Sequence, residues 1–302
     1  MNASLPFFSV IIPTYNRAGL LKQALDSVFS QTWTSYEVTV VDDGSIDSTA
    51  GILRGYPKVN VLQQANGGPG PARNLGASHA QGDYLAFLDS DDLWFPWTLE
   101  IYKQVIEREK SPAFIAGKPL RFHDRDKLNP NVDDDPLQTE SFRDYLASGD
   151  QWRWWGASSF VIRKDAFREV GGFARERMNG EDADLALRLG EAGGFVQVNS
   201  PFTFGYRDHA VSEMKNMDLT LAGARHQICA EKEKRYPGGP LRAKQRRLIL
   251  TRHIRPISVE CLRQGRRREG WELYKATLSW NLGLRKWKYL AGFPLKAWFS
   301  EK

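Results

Sequence analysis

The apolar run Tyr84-Leu-Ala-Phe-Leu88 ends abruptly in Asp89-Ser-Asp-Asp92. Three carboxylates directly after a buried strand repel one another, and desolvated charge costs several kcal/mol unless something neutralises it. A divalent cation does so through hard oxygen ligands. In open α/β sheets ligands bind just beyond the carboxyl ends of strands. The run therefore predicts a sheet whose carboxyl edge holds a metal and a phosphate-bearing ligand. The competing reading is a solvated acidic turn that caps a following helix over Pro96–Glu109.

The first hundred residues alternate strand and helix. Strands are predicted at Phe7–Ile12, Tyr36–Val41, Val59–Leu62 and Tyr84–Leu88. A helix over Ala18–Gln31 aligns Leu20, Leu21, Ala24, Leu25, Val28 and Phe29 on one face. Asp47 or Ser48 caps a helix through Leu53, and Pro71 suits the first turn of a helix over Ala72–His79. Alternation of this kind implies a mostly parallel sheet with right-handed crossovers. Beyond Glu109 the pattern loosens. Strands are expected at Ala113–Gly117, Leu120–His123 and Ser159–Arg163, a mobile loop at Asp124–Glu140, and helices at Asp165–Val170, Glu181–Ala192, 218–235 and 240–285. A boundary near residue 215 divides an α/β domain (1–215) from a helical extension (216–302).

Composition narrows the class. With 302 residues, 41% hydrophobic and 12% aromatic, the chain is not disordered. No stretch reads as a transmembrane helix, and Met1-Asn-Ala-Ser-Leu-Pro6 lacks the basic start and apolar stretch of a secretory leader. Cys229 and Cys261 have no metal or redox spacing and suit a reducing compartment. The expected location is cytoplasmic. The net charge of +6 is uneven: residues 1–224 hold 22 basic against 30 acidic side chains (−8), and residues 225–302 hold 20 against 6 (+14).

Four features fall at successive strand ends, where one ligand can touch them all. Pro13-Thr14-Tyr15-Asn16 offers a ring to stack on a base and hydroxyl or amide groups for a ribose or phosphate. Asp42-Asp43-Gly44-Ser45 offers a carboxylate for a base N–H. Gly67-Gly-Pro-Gly-Pro-Ala-Arg73 is a glycine-rich turn at a helix start, which favours anions, with a cation beside it. Asp89-Ser90-Asp91 closes the set. Each has a structural reading as a turn or cap; their coincidence favours a nucleotide diphosphate.

Ser9-Val-Ile-Ile-Pro-Thr-Tyr-Asn16, Ser27-Val-Phe-Ser-Gln-Thr32, Val40-Val-Asp-Asp-Gly-Ser45, Ala72-Arg-Asn-Leu-Gly76 and Leu88-Asp-Ser-Asp-Asp92 together resemble the family 2 glycosyltransferases of the GT-A fold. The likeness is dense over residues 7–110 and thinner to about 212. It implies an inverting transfer from a nucleotide-sugar donor, usually a UDP-sugar, assisted by Mg2+ or Mn2+. It also implies that Pro13, Tyr15 and Asp43 lie at the donor base, that Arg73 contacts the donor and that Asp89 and Asp91 form the metal motif. Thr14, Asn16, Asp42 and Ser90 join the donor set. Asn179-Gly-Glu181-Asp182, before Asp184-Leu-Ala-Leu-Arg188, resembles the family's base motif. Asp182 is the expected base, with Glu181 or Asp184 as substitutes.

His209, in Tyr206-Arg-Asp-His209, resembles a late segment in which a histidine approaches the metal or diphosphate. Trp154 and Trp155, within Trp152-Arg-Trp-Trp155, offer faces on which sugar rings stack and are assigned to the acceptor. The C-terminal cations and aromatics fit an anionic lipid surface, which places the protein at the inner face of the cytoplasmic membrane, with a glycan or lipid-linked acceptor in surface polysaccharide synthesis. Nucleic acid is disfavoured because no binding motif accompanies the charge. The alternatives are a nucleotidyltransferase, disfavoured by the absence of its glycine-rich loop at strand one, and a non-catalytic glycan-binding scaffold. Neither the acceptor, the sugar nor the oligomeric state is legible.

Overall fold

The computed structural model describes residues 7–123, 128, 136–149, 156–208 and 216–299. Contacts divide the chain into two interleaved units. The first comprises Met1–Tyr145, Arg153–Arg177 and Ala192–Ala210; the second Leu146–Trp152, Met178–Glu191 and Val211–Lys302. The helix carrying Glu181 and Asp182 thus belongs with the C-terminal residues.

The first unit holds an eight-stranded sheet. Its strands are β1 (Phe8–Thr14), β2 (Tyr36–Asp42), β3 (Val59–Gln63), β4 (Tyr84–Phe87), β6 (Phe114–Ala116), β8 (Gln138–Phe142), β9 (Phe160–Arg163) and β10 (Phe195–Ser200), in the order β3-β2-β1-β4-β9-β6-β10-β8. Neighbours β3, β2, β1 and β4 are parallel, as are β6 and β10; β9 runs antiparallel between β4 and β6, and β8 antiparallel to β10. This is the mostly parallel α/β sheet expected. A second, three-stranded sheet was not anticipated: β5 (Leu93–Trp94), β11 (Phe204–Arg207) and β7 (Pro119–Phe122). A two-residue strand leaves no periodicity to read. Residues 138–140, expected within a loop, open β8.

Apolar alternation fixes which helices cover the sheet. In α1 (Ala18–Phe29) Leu21, Ala24, Leu25 and Val28 are buried, at the spacing of one helical face. They join Phe8, Val10, Ile12, Val38 and Val40 in the main core, with Leu99, Tyr102 and Val105 of α4 (Thr98–Arg108). The short α2 (Thr49–Arg54) starts where Asp47 Oδ1 accepts from Thr49 N, while Asp47 Oδ2 accepts from Ala18 N. One carboxylate therefore ties two helix starts. α3 (Pro69–His79) lies hard against β1: a Cβ on Gly76 would sit 2.6 Å from Ile11 Cγ2. α5 (Lys164–Glu169) follows β9.

The second unit is helical: α6 (Glu181–Arg188), α7 (Met217–Lys232), α8 (Ala243–Arg263), α9 (Arg267–Ala276), α10 (Leu278–Gly283) and α11 (Trp287–Phe299). The helix expected over 181–192 ends at Arg188, and the stretch 240–285, expected to be largely helical, holds α8, α9 and α10. α6 is pinned by Asp184, whose buried carboxylate accepts from Tyr236 Oη at 2.8 Å and Arg188 Nε at 2.8 Å, with His226 Nε2 at 3.4 Å. Burial raises its pKa, but His226, Arg188 and Tyr236 together outweigh burial and hold it below the ordinary carboxylate value. Glu231 and Arg246 form a buried ion pair at 2.7 Å, and Arg247 reaches the same carboxylate at 3.0 Å. Part of the C-terminal positive charge is thus internal. Among the described residues no helix is long and apolar enough to cross a membrane.

Candidate active site

Parallel register gathers the site in the first unit. Thr14 lies opposite Asp42 and Ile11 opposite Phe87, so the segments after β1, β2 and β4 leave the sheet at one edge. Pro13 and Thr14 are buried in β1, and Tyr15 is 42% exposed just beyond it. Thr14 Oγ1 is buried without a hydrogen-bond partner. Such a hydroxyl is uncommon in a folded protein and fits a group awaiting a ligand. Asn16, at φ 51°, bridges the next loop: its N–H donates to Ser45 Oγ at 2.9 Å, and its Oδ1 accepts from Ile46 N at 2.8 Å. Asp42 Oδ1 accepts from Ser45 N at 2.9 Å.

Asp43 is buried and largely committed within the fold. Its Oδ1 accepts from Gln64 Nε2 (2.7 Å) and Gly67 N (2.9 Å), and its Oδ2 from Gly68 N (2.8 Å). A carboxylate offers about four acceptor positions, and three of them are filled by these donors. The glycine-rich turn expected to receive a phosphate thus has two amides occupied by a protein carboxylate at the start of α3. Gly68 turns there at φ 92°, a conformation glycine adopts without steric cost.

The acidic run is organised by three arginines, a serine and a backbone amide. Arg73, buried on α3, pairs with Asp89 Oδ1 at 2.5 Å, and its guanidinium lies 5.0 Å from the Phe173 ring centre. Arg17 pairs with Asp91 Oδ2 at 2.5 Å. Ser90 and Asp92 are buried. Asp92 accepts from Ser158 Oγ at 2.6 Å and from Arg207 N at 2.9 Å, and Ser158 Oγ accepts from Asp89 N at 3.0 Å. Arg207 Nε donates to the Asp91 carbonyl at 2.8 Å. Burial, then the charges of Asp91 and Asp89, push the Asp92 carboxyl well above its usual pKa. Burial, then the carboxylates of Asp92, Asp91, Asp89 and Asp208, push the Tyr206 hydroxyl up to about 12. With the Asp92 carboxyl so raised, Asp89 and Asp91 carry the negative charge of the run, and each faces an arginine, Arg73 and Arg17.

The carboxylates of Asp89 and Asp91 are an oxygen-only donor set of the kind a hard divalent cation takes. Among the described residues no three His, Cys, Asp or Glu side chains converge as a cage. Asp89 and Asp91 fit the sparser case in which protein supplies few ligands and substrate phosphates supply more.

Asp182 and Glu181 open α6 in the second unit, both partly exposed, and Asp182 Oδ1 accepts from Ala183 N at 2.6 Å. Asp184, a substitute base on sequence grounds, is held by three partners and is a structural anchor. Trp154, Trp155 and His209 lie outside the described residues.

Arg17, Gln64, Asp92, Ser158 and Arg207 had no role on sequence grounds. Arg17 and Asp92 lie inside the motifs and Gln64 three residues before the glycine-rich turn. Ser158 and Arg207 reach Asp92 across 66 and 115 residues, and nothing local marks them.

The family model for glycosyl transferase family 2 matches residues 9–171, more than half of the chain. An uncharacterized glycosyltransferase of Haemophilus influenzae is 30% identical over 203 residues, covering 65% of this chain and 67% of that protein. The chondroitin synthase of Pasteurella multocida is 28% identical over 211 residues; the match covers 65% of this chain but 20% of the synthase. Among solved structures, S. aureus TarS 1-349 in complex with UDP-GlcNAc matches with a TM-score of 0.58 at 20% identity, over 92% of each chain. The mannosyltransferase PcManGT from Pyrobaculum calidifontis, in complex with GDP-Man and Mn2+, matches at 0.53 and 18% identity over 99% of this chain and 89% of that one. At those identities the two structures speak for the fold. The matched motifs and the sheet edge that gathers them lead to one conclusion: the chain belongs to glycosyl transferase family 2.

Proposed function

We propose that this chain transfers a sugar from a nucleotide-sugar donor, a UDP-sugar by preference, to a hydroxyl of a glycan or lipid-linked acceptor, with inversion at the anomeric carbon. The observation that carries the reading is the shared edge after β1, β2 and β4, which holds an unpartnered buried hydroxyl, an exposed tyrosine and an acidic run faced by arginines. The UDP-GlcNAc bound by TarS and the synthase relative support the donor class and polysaccharide synthesis.

The donor base lies by Pro13, Tyr15 and Asp43, with Thr14, Asn16, Asp42 and Ser90 toward the ribose and diphosphate. Asp89 and Asp91 would hold Mg2+ or Mn2+, which supplies positive charge to the diphosphate as it leaves. Arg73 and Arg17 keep both carboxylates in place and add charge of the same sign at the leaving group. Asp182 takes the proton of the acceptor hydroxyl as that oxygen bonds to the anomeric carbon. The carbon–oxygen bond to the diphosphate breaks, and the nucleoside diphosphate departs. One displacement inverts the centre. Glu181 is the substitute base, Trp154 and Trp155 the acceptor platform, and His209 a further ligand of metal or diphosphate.

Purified protein is incubated with a panel of nucleotide sugars, with and without Mn2+ or Mg2+, and release of nucleoside diphosphate is followed. Release from one donor, dependent on metal, is expected. No release from any donor under either condition overturns the reading in favour of a glycan-binding scaffold.

A further inference from the structure

We infer that the outer face of α11 docks on an anionic lipid surface.

The C-terminal aromatics divide between two faces of one helix. The inner face of α11 is committed to the second unit's own core. Phe293 stacks on Tyr274 with ring centres 4.7 Å apart and meets Trp271 edge-on at 5.2 Å. Tyr289 Oη lies 2.8 Å from Ser258 Oγ, and Ala297 is fully buried. Pro294 has no N–H for the Leu290 carbonyl one turn back; Tyr274 Oη donates to that carbonyl at 2.9 Å instead. The helix is therefore fixed in rotation by packing and by a specific hydrogen bond.

The opposite face is apolar and open. Trp287, Ala291, Leu295 and Trp298 follow at intervals of four, four and three residues, which aligns them on one side of a helix. Trp287 is 60% exposed, Leu295 59%, Trp298 72% and Phe299 71%. Three large aromatics at such exposure on one side of a 13-residue helix form a patch that asks for a partner.

Charge selects the partner. From residue 273 to residue 300 the chain has Lys275, Arg285, Lys286, Lys288 and Lys296 and no acidic residue. A second copy would present the same cations to the same cations across a two-fold axis, and that repulsion disfavours self-association. Aromatic and leucine side chains flanked by lysines and arginines match the interface of an anionic bilayer, where rings sit at headgroup depth and cations meet phosphates.

The test uses the full chain without donor or acceptor, so it stands or falls separately from glycosyl transfer. Co-sedimentation is measured with vesicles of phosphatidylcholine alone and of phosphatidylcholine with phosphatidylglycerol, at low and high salt. The protein should bind the anionic vesicles, ignore the neutral ones, and release as screening shortens from a ~10 Å range at 0.1 M salt to ~3 Å at 1 M. The variant Trp287→Ser/Trp298→Ser/Phe299→Ser should bind at least ~tenfold more weakly, as expected when buried apolar area is removed from an interfacial helix. Lys288→Gln/Lys296→Gln, at exposed positions outside the core, should also weaken binding and serves if the triple variant misfolds. Three results overturn the inference: no binding to anionic vesicles; wild-type binding by both variants; or a dimer that the triple variant dissociates while vesicle binding persists, which would make the face a contact between copies.

Discussion

Replacing Asp43 by Asn tests whether that residue serves the donor site by holding the glycine-rich turn. The wild-type carboxylate accepts three hydrogen bonds, two of them from the Gly67 and Gly68 amides. An amide group keeps one oxygen and turns an NH2 toward the third donor. Placing the oxygen at Oδ1 retains Gln64 and Gly67 and leaves the buried Gly68 N–H facing another donor. An unsatisfied buried donor costs ~1–3 kcal/mol, and the two retained bonds fall from the charged to the neutral class, a loss of about 1 kcal/mol each. The sum is about 3–5 kcal/mol, or roughly 6–20 °C in the unfolding midpoint for a domain of 150–250 residues. Gln64→Ala removes one bond and leaves no amide orphaned, so about 0.5–1.5 kcal/mol is expected. Circular dichroism melts of the ligand-free chain read the first quantity, and calorimetric titration with UDP reads its consequence, weaker nucleotide binding. If Asp43→Asn melts with the wild type while UDP binding falls, Asp43 acts by direct contact with the base and the anchoring argument is wrong.

Asp91→Ala should lose metal-dependent UDP binding and retain its fold, since Asp91 is partly exposed and paired with Arg17; metal-dependent binding equal to wild type, by calorimetry, would remove Asp91 from the metal site. Asp182→Asn should lower kcat by ~10²–10⁴ with UDP affinity unchanged, the signature of a lost general base; normal turnover moves that role to Glu181. Glu231→Ala strands Arg246, only 4% exposed in its side chain, so a loss of ~3–5 kcal/mol is expected in urea denaturation of the helical unit. A midpoint equal to wild type would mean the pair adds nothing.

Local pattern carried the first half of the fold. Strands β1 and β4 and the second half of β2 are buried, mostly apolar runs, α1 has a buried stripe, and Pro71 marks the first turn of α3, which begins three residues before the expected Ala72; each signal lies within a dozen residues. The segments proposed for the donor could be placed at one sheet edge for the same reason, since most stand at or just after the end of a recognisable strand. Partner choice was not legible. Asp43 reads as a ligand group in sequence, yet the fold brings Gln64, Gly67 and Gly68 to it from more than 20 residues away. Asp92 looked like its neighbours, and only the insertion of β9 between β4 and β6 delivers Ser158 to neutralise its lone pairs. Asp184, in sequence a substitute for Asp182 as base, is held by Tyr236, which lies 52 residues on. The sequence of α11 announced aromatics and lysines but not which aromatics lie inside. Periodicity alone leaves the rotation of a helix apolar on both sides undetermined. Packing of Phe293 on Tyr274 and the bond from Tyr274 to the carbonyl that Pro294 leaves open set that rotation, and they are contacts that only the tertiary structure makes.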